Sequence, residues 1–302
     1  MGQRAAVLDL GTNTFNLLIG ERAGGEIVFL HRDEKWVNLA EDGMDRIGDN
    51  ALDRMKNVLT DYQKVIDQYK PQIVRASATA MFRRASNSDV AKALVVELTG
   101  VEPNIISGDE EATLIYEGVR SGLKQQDDKT IMVMDIGGGS TEFIVGRGEK
   151  ILWKKSFALG ATLLRQRFHL SEPISESEKK SLREYVVEET SELQEAVELF
   201  RPEFLIGASG SFDSFASMLL YPEEPQNGLV ALDVKKLIGL VDRLCAMNEQ
   251  QRSMVPGLVW FRVGPIVTAA LLTHCIIRRF GFNDVYRSAY AMKEAMLRRL
   301  LS

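Results

Sequence analysis

Fourteen residues near the start of the chain, VLDLGTNTFNLLIG (residues 7–20), return without a gap as VMDIGGGSTEFIVG at residues 133–146. Asp9 falls on Asp135, Gly11 on Gly137, Thr14 on Ser140, Asn16 on Glu142 and Gly20 on Gly146. Each copy runs on through a turn into a third apolar segment, at residues 27–30 and 151–153. A repeat of this kind constrains the architecture before any single residue does. Two copies of strand, loop, strand and strand predict an internal duplication: two similar half-domains facing one another across a cleft.

The loop inside the repeat has its own chemistry. An apolar run at residues 131–134 delivers Asp135 to the end of a buried strand, and Gly137, Gly138 and Gly139 then turn the backbone before Ser140 and Thr141. Glycine lets main-chain N–H groups come close to a ligand, and successive N–H groups in such a turn make a concave anion site. Gly11, Thr12, Asn13 and Thr14 hold the same places in the first copy. The carboxylates of Asp135 and Glu142 would repel a bare phosphate, so a divalent cation between them is the natural complement, with Asp9 as a further candidate ligand. The bland alternative is a tight hairpin with an acidic rim, because glycine often marks nothing but a turn. A third loop, Gly207 to Ser211 with Ser209 and Gly210 inside it, sits between an apolar strand and a helix. That arrangement presents a helix N-terminus to an anion, without the GxxxxGK[ST] pattern of a Walker loop.

A chain of 302 residues suits two compact domains. Its formal net charge of −5 argues against a protein that coats nucleic acid or membrane, though an acidic body can still carry a local basic channel for a polyanion. Cys245 and Cys275 show no CxxC spacing, and His31, His169 and His274 show no metal-ligand spacing. They read as buried thiols in a reducing compartment and as structural histidines. No signal-like segment precedes Asp9 and no apolar run reaches the ~20 residues needed to cross a bilayer. The expected location is the cytoplasm, with no membrane partner.

Elsewhere, periodicity predicts helices over residues 51–69, 89–99, 107–122, 161–168, 212–220, 233–247, 263–280 and 289–301, with one long charged helix over 176–200. Residues 221–230 read as a loop, as do 77–87, where Arg83 and Arg84 stand at a strand's carboxyl end. Strands alternating with helices are the signature of an α/β layer fold. The boundary expected between the domains is 1–123 and 124–286, with residues 287–302 returning to the first. Glu110 and Glu111 open a helix where the dipole alone favours acids, but either could serve a cleft.

Several strings together resemble the exopolyphosphatase/guanosine-pentaphosphate phosphohydrolase family of the actin–sugar kinase–Hsp70 superfamily. They are AVLDLGTNTFNLLIG (6–20), SATAMFRRASN (77–87), ISGDEEATLIYEGV (106–119), VMDIGGGSTEFIVG, SFALGATLLRQR (156–167) and GASGSFDSFA (207–216). The resemblance implies two actin-like, ribonuclease H-type domains, and Mg²⁺-dependent attack of water on a terminal phosphoryl group. By motif match Glu111 is the general base, Asp135 and Glu142 lie at the metal and water, and Arg83 is the segment's functional arginine. The implied substrate is inorganic polyphosphate or guanosine pentaphosphate. A non-catalytic phosphate-nucleotide sensor and an actin-like ATPase are the competing classes, and a homodimer is the assembly to test for. The family's third loop usually reads GTGGT, whereas here Ser209 and Ser211 replace a glycine and a threonine. Its PGLxxxRAD pattern becomes PGLVWFRVG at residues 256–264, and YxLREG becomes YAMKEA at 290–295. The C-terminal helical domains of longer members have no counterpart.

Overall fold

The computed structural model describes residues 2–123, 129–223 and 228–302. The first part of the chain forms β1 (Arg4–Leu10), β2 (Thr14–Ala23), β3 (Glu26–Trp36), α1 (Asp49–Tyr69), β4 (Ile73–Ala78), α2 (Ala80–Arg84), α3 (Ser88–Thr99), β5 (Pro103–Ile105) and α4 (Gly108–Ser121). The remainder forms β6 (Thr130–Ile136), β7 (Thr141–Arg147), β8 (Lys150–Phe157), α5 (Ala161–Phe168), α6 (Glu176–Glu189), α7 (Ser191–Phe200), β9 (Phe204–Ala208) and α8 (Ser209–Leu220). It continues through β10 (Leu229–Leu232), α9 (Val234–Ala246), α10 (Glu249–Ser253), α11 (Ile266–Phe280), β11 (Val285–Ser288) and α12 (Met292–Leu301). Two compact units result, Met1–Leu114 with Met292–Ser302, and Ile115–Ala291. The expected mixed α/β architecture of two actin-like units is the one present.

In the first unit the sheet order is β3-β2-β1-β4-β5, with β1 parallel to β4 and antiparallel to β2. α1 forms because Met55, Val58, Leu59, Tyr62 and Ile66 recur at helical spacing and bury one face. Its Tyr62 hydroxyl crosses to the sheet, donating to the Phe15 carbonyl at 2.7 Å. α12 packs on β1 and β2. There the missing side chain of Gly20 leaves the space that Leu297 fills, and a Cβ would stand 2.7 Å from Leu297 Cδ2.

The second unit's sheet, read from its β8 edge, runs β8-β7-β6-β9-β11 and then an added antiparallel edge strand, β10. The first five repeat the order of the first sheet. The likeness reaches single residues. Both second strands shift register at the equivalent point, between Ile19 and Gly20 in β2 and between Val145 and Gly146 in β7. Such a bulge re-aims a strand locally, and Gly146, like Gly20, makes room for a helix side chain, here Tyr116 of α4. Every residue of β6 is buried, as expected of a strand covered on both faces. α11 lies deep in this unit's core, packed against α5, α6 and α9.

Four expectations about elements are corrected. The single helix expected over 176–200 is two, α6 and α7, separated at Thr190. The Thr190 hydroxyl donates back to the Val186 carbonyl at 2.6 Å and accepts from Arg279 Nη1 at 2.6 Å. Back-bonding of this kind bends helices. Part of the loop expected over 221–230 is β10, while residues 224–227 lie outside the described residues. The segment 77–87 contains the short helix α2. The strand β11, which periodicity did not suggest, exists because it pairs parallel to β9 from Val285↔Leu205 to Arg287↔Gly207.

Candidate active site

In the first unit, β1 and β2 turn at Gly11, whose N–H donates to the Thr14 carbonyl at 3.1 Å. A Cβ on Gly11 would lie 2.8 Å from that oxygen, so the turn closes only on glycine. The carbonyls of Thr12 and Asn13 accept from Val37, Asn38 and Leu39, fixing the loop from outside. Asp9 lies opposite Asn16 and beside Ser77 in the sheet.

Glu110 and Glu111 part company in the same unit. Glu110 is exposed, and its backbone N–H donates to Ser107 Oγ at 3.1 Å. Glu111 is 8% exposed. Arg83 Nη1 reaches Glu111 Oε2 at 2.8 Å and the Ile106 carbonyl at 2.8 Å. The guanidinium therefore holds the buried carboxylate, while Arg84 is exposed. The resemblance marked Arg83 as its segment's functional arginine, and within this unit it holds Glu111.

The second copy of the loop is the more elaborate. Gly137 N–H donates to the Ser140 carbonyl at 2.9 Å, as Gly11 does to Thr14. The carbonyls of Gly137 and Gly138 accept from Ala161, Thr162 and Leu163 at the start of α5. Gly160 allows that approach: a Cβ there would sit 2.2 Å from the Gly138 carbonyl oxygen. The N–H groups of Gly138 and Gly139 donate to no backbone acceptor among the described residues, which is the condition for a concave anion site.

Across this sheet a row of polar side chains runs strand by strand. Asp135 pairs with Glu142 between β6 and β7, Glu142 with Ser156 between β7 and β8, and Asp135 with Ala208 on the β9 side. Asp135 is 6% exposed and Glu142 1%. Each carboxylate accepts from a serine: Ser209 Oγ to Asp135 Oδ2 at 2.6 Å, and Ser156 Oγ to Glu142 Oε1 at 2.7 Å. Ser140 is buried beside them in sequence. Thr141 is committed elsewhere, its hydroxyl donating to the Leu159 carbonyl at 2.9 Å.

The third loop is tighter than the sequence suggests, because α8 begins at Ser209 itself. Gly207 belongs to β9, and a Cβ on it would fall 1.9 Å from the Phe212 ring, so packing alone demands glycine there. Ser211 Oγ donates to the Ile136 carbonyl at 3.3 Å. Gly210 gives up its side-chain space to Arg262, whose guanidinium donates to the Gly210 carbonyl and to Ser214 Oγ. Arg262 was missed as a site residue. The only signal was its place in the divergent PGLVWFRVG segment, which says nothing of the loop it reaches.

The donor set at Asp135 and Glu142 fits a hard cation. No group of three or more His, Cys, Asp or Glu side chains able to hold a metal occurs among the described residues. Mg²⁺ is commonly held by one or two carboxylates, with water and substrate phosphate completing the shell, so two carboxylates are compatible with it. The cavity of about 580 Å³ between Arg22, Ile27 and Arg298 belongs to the first unit and lies at the opposite end of β2 from the Gly11 turn. No helix among the described residues is long and apolar enough to cross a membrane.

Comparison with known proteins places this arrangement. Residues 18–302 match the model of the Ppx/GppA phosphatase family. An exopolyphosphatase structure from Cytophaga hutchinsonii is 31% identical, with a TM-score of 0.94, covering 99% of this chain and 98% of that one. The PPX-GPPA enzyme of Aquifex aeolicus shares the fold at a TM-score of 0.79 and 22% identity, over 98% of each chain. A bifunctional 3-dehydroquinate synthase/phosphatase of Fusobacterium nucleatum is 32% identical over 218 residues, or 68% of this chain. The chain spans 32% of that relative's length. With the match running from residue 18 to residue 302, through both units, the chain belongs to the Ppx/GppA phosphatase family.

Proposed function

We propose that this chain is a Mg²⁺-dependent exopolyphosphatase, a phosphoric-anhydride hydrolase that removes the terminal phosphate of inorganic polyphosphate. The observation that carries the reading is the Asp135–Glu142 pair, two buried carboxylates set directly across neighbouring strands beside a glycine turn. Like charges so placed weaken a sheet, and a divalent cation offsets them. The likeness to the Cytophaga hutchinsonii exopolyphosphatase supports polyphosphate as the substrate.

Phosphoryl transfer needs charge neutralisation and alignment more than covalent participation by the protein. Asp135 and Glu142 are the residues that would hold Mg²⁺, which would supply that neutralisation. The N–H groups of Gly138 and Gly139 and the start of α8 hold phosphate oxygens. Glu111 accepts the proton of a water whose oxygen bonds to the terminal phosphorus. The anhydride P–O bond breaks, and the shortened chain leaves with the bridging oxygen. Arg83 keeps the Glu111 carboxylate turned to one side. The reading requires Glu111 and the second unit's loops to work on one phosphoryl group.

Phosphate release with Mg²⁺ from long polyphosphate, tripolyphosphate, guanosine pentaphosphate and ATP, measured side by side, tests it. Polyphosphate should be the best substrate by kcat/KM. Preference for guanosine pentaphosphate would transfer the assignment to 5′-phosphate removal from that nucleotide, and release from none would favour a sensor.

A further inference from the structure

Ser209 is one of four non-glycine residues with positive φ among those described, at +60°. L-residues resist that conformation because Cβ crowds the following carbonyl, and residues held there concentrate where function over-determines the backbone. Glycine would take this angle freely. The serine instead carries a hydroxyl whose donation to Asp135 Oδ2, at 2.6 Å, spans 74 positions of sequence. It is not capping its own helix: Ala208 holds that place, with no side-chain bond. On the other side of the carboxylate pair Ser156 does the same for Glu142 from a relaxed strand position.

We propose that Ser209 is a positioning residue for the cation site: the strained serine locks the plane of the Asp135 carboxylate, and the chain's divalent-metal affinity is set from the third loop. The inference rests on the reading of Asp135 and Glu142 as metal ligands. A carboxylate pinned at one oxygen presents the other in a fixed direction, so a cation meets a pre-arranged ligand. Hydrogen-bond partners of metal-binding carboxylates typically change metal affinity by about 10–100-fold when removed. The left-handed backbone is what brings the hydroxyl to Asp135 rather than to the free N–H groups of its own helix.

Two substitutions separate the hydroxyl from the backbone. Ser209→Gly removes the donor and relieves the angle; Ser209→Ala removes the donor and keeps the strain. Mn²⁺ binding to the metal-free full chain, followed by electron paramagnetic resonance without substrate, is the primary measurement. Both variants should bind Mn²⁺ about tenfold or more weakly than the parent chain. Half-saturating Mg²⁺ for phosphate release should rise in parallel. A thermal midpoint of the metal-free Ser209→Gly protein close to the parent value would exclude general unfolding as the cause. If the parent chain binds Mn²⁺ and Asp135→Asn abolishes it, yet Ser209→Gly binds as tightly as the parent, the role of Ser209 is overturned while the metal reading stands. If Asp135→Asn binds Mn²⁺ normally, the metal reading itself is wrong, and this inference with it.

Discussion

Glu110 and Glu111 are neighbours in α4, yet one carboxylate stands in solvent and the other is buried against Arg83. Glu111→Gln keeps the shape and the buried position but cannot take a proton from water. It should lower kcat by about 10²–10⁴-fold with polyphosphate binding nearly intact, whereas Glu110→Gln should turn over normally. Single-turnover phosphate release with a separate binding measurement decides it, and an inactive Glu110→Gln would reverse the assignment. A second buried group answers to pH. The His169 side chain is fully buried, 3.3 Å from Glu172 Oε1, with neither ring nitrogen hydrogen bonded. Burial holds its imidazole below the ordinary value; Glu172 opposes that shift, while Arg252 and Arg165 reinforce it. Arg252, fully buried, grips Glu172 with two nitrogens at 2.7 and 2.8 Å. Burial pushes the Glu172 carboxyl up, but that grip outweighs it and holds the group below the usual range. Both folded-state values are depressed, so the unfolded chain binds more protons and stability falls with pH, beginning for the histidine near its unfolded value of about 6.5. The thermal midpoint should drop between pH 7 and 5, and less steeply in His169→Leu; equal slopes would remove the histidine from the account. Motif order along the chain singled out Glu111, Asp135 and Glu142, and all three carboxylates are buried. It could not find the Ser209 angle or the reach of Arg262, which are set by contacts across 74 and 52 positions.

The duplicated hairpins were legible because the same strand–turn–strand pattern is written twice, and the structure repeats even their register shifts. The break between α6 and α7 was not. Leu182, Val186, Leu193 and Ala196 keep a helical face through it, so periodicity runs on where the backbone does not. What decides the break is the Thr190 hydroxyl and a guanidinium 89 positions away. Thr190→Val keeps the shape and removes both hydrogen bonds. The expected cost is about 1 kcal/mol, from the ordinary worth of a protein hydrogen bond, read from chemical denaturation. Arg279→Gln should weaken the protein less when made in Thr190→Val than in the parent chain, since the partner is already gone. Additive costs would show that the two side chains do not act together. Short strands such as β11 were hidden for a different reason. Four residues carry too little pattern, and pairing with β9 on one side and β10 on the other makes VYRS a strand.

α12 belongs to the first unit although the whole second unit precedes it in the chain. It lays Leu297 over Gly20 and brings the fully buried Glu294 within 3.1 Å of Arg32. Leu297→Ala should destabilise the first unit by about 2–5 kcal/mol, the usual range for a buried leucine. Limited proteolysis should then cut within residues 2–114 while 129–223 resist; uniform cleavage would mean that α12 supports both units alike. The placement of this helix also sets an order of events during synthesis. Domains commonly fold as they leave the ribosome, the N-terminal one first. Here the strands made first must wait with one face uncovered until the rest has been translated, and the later unit is the one able to finish early. Of the two units, the one whose strands emerge earlier is thus completed later, and it is exposed longer to chaperones and proteases.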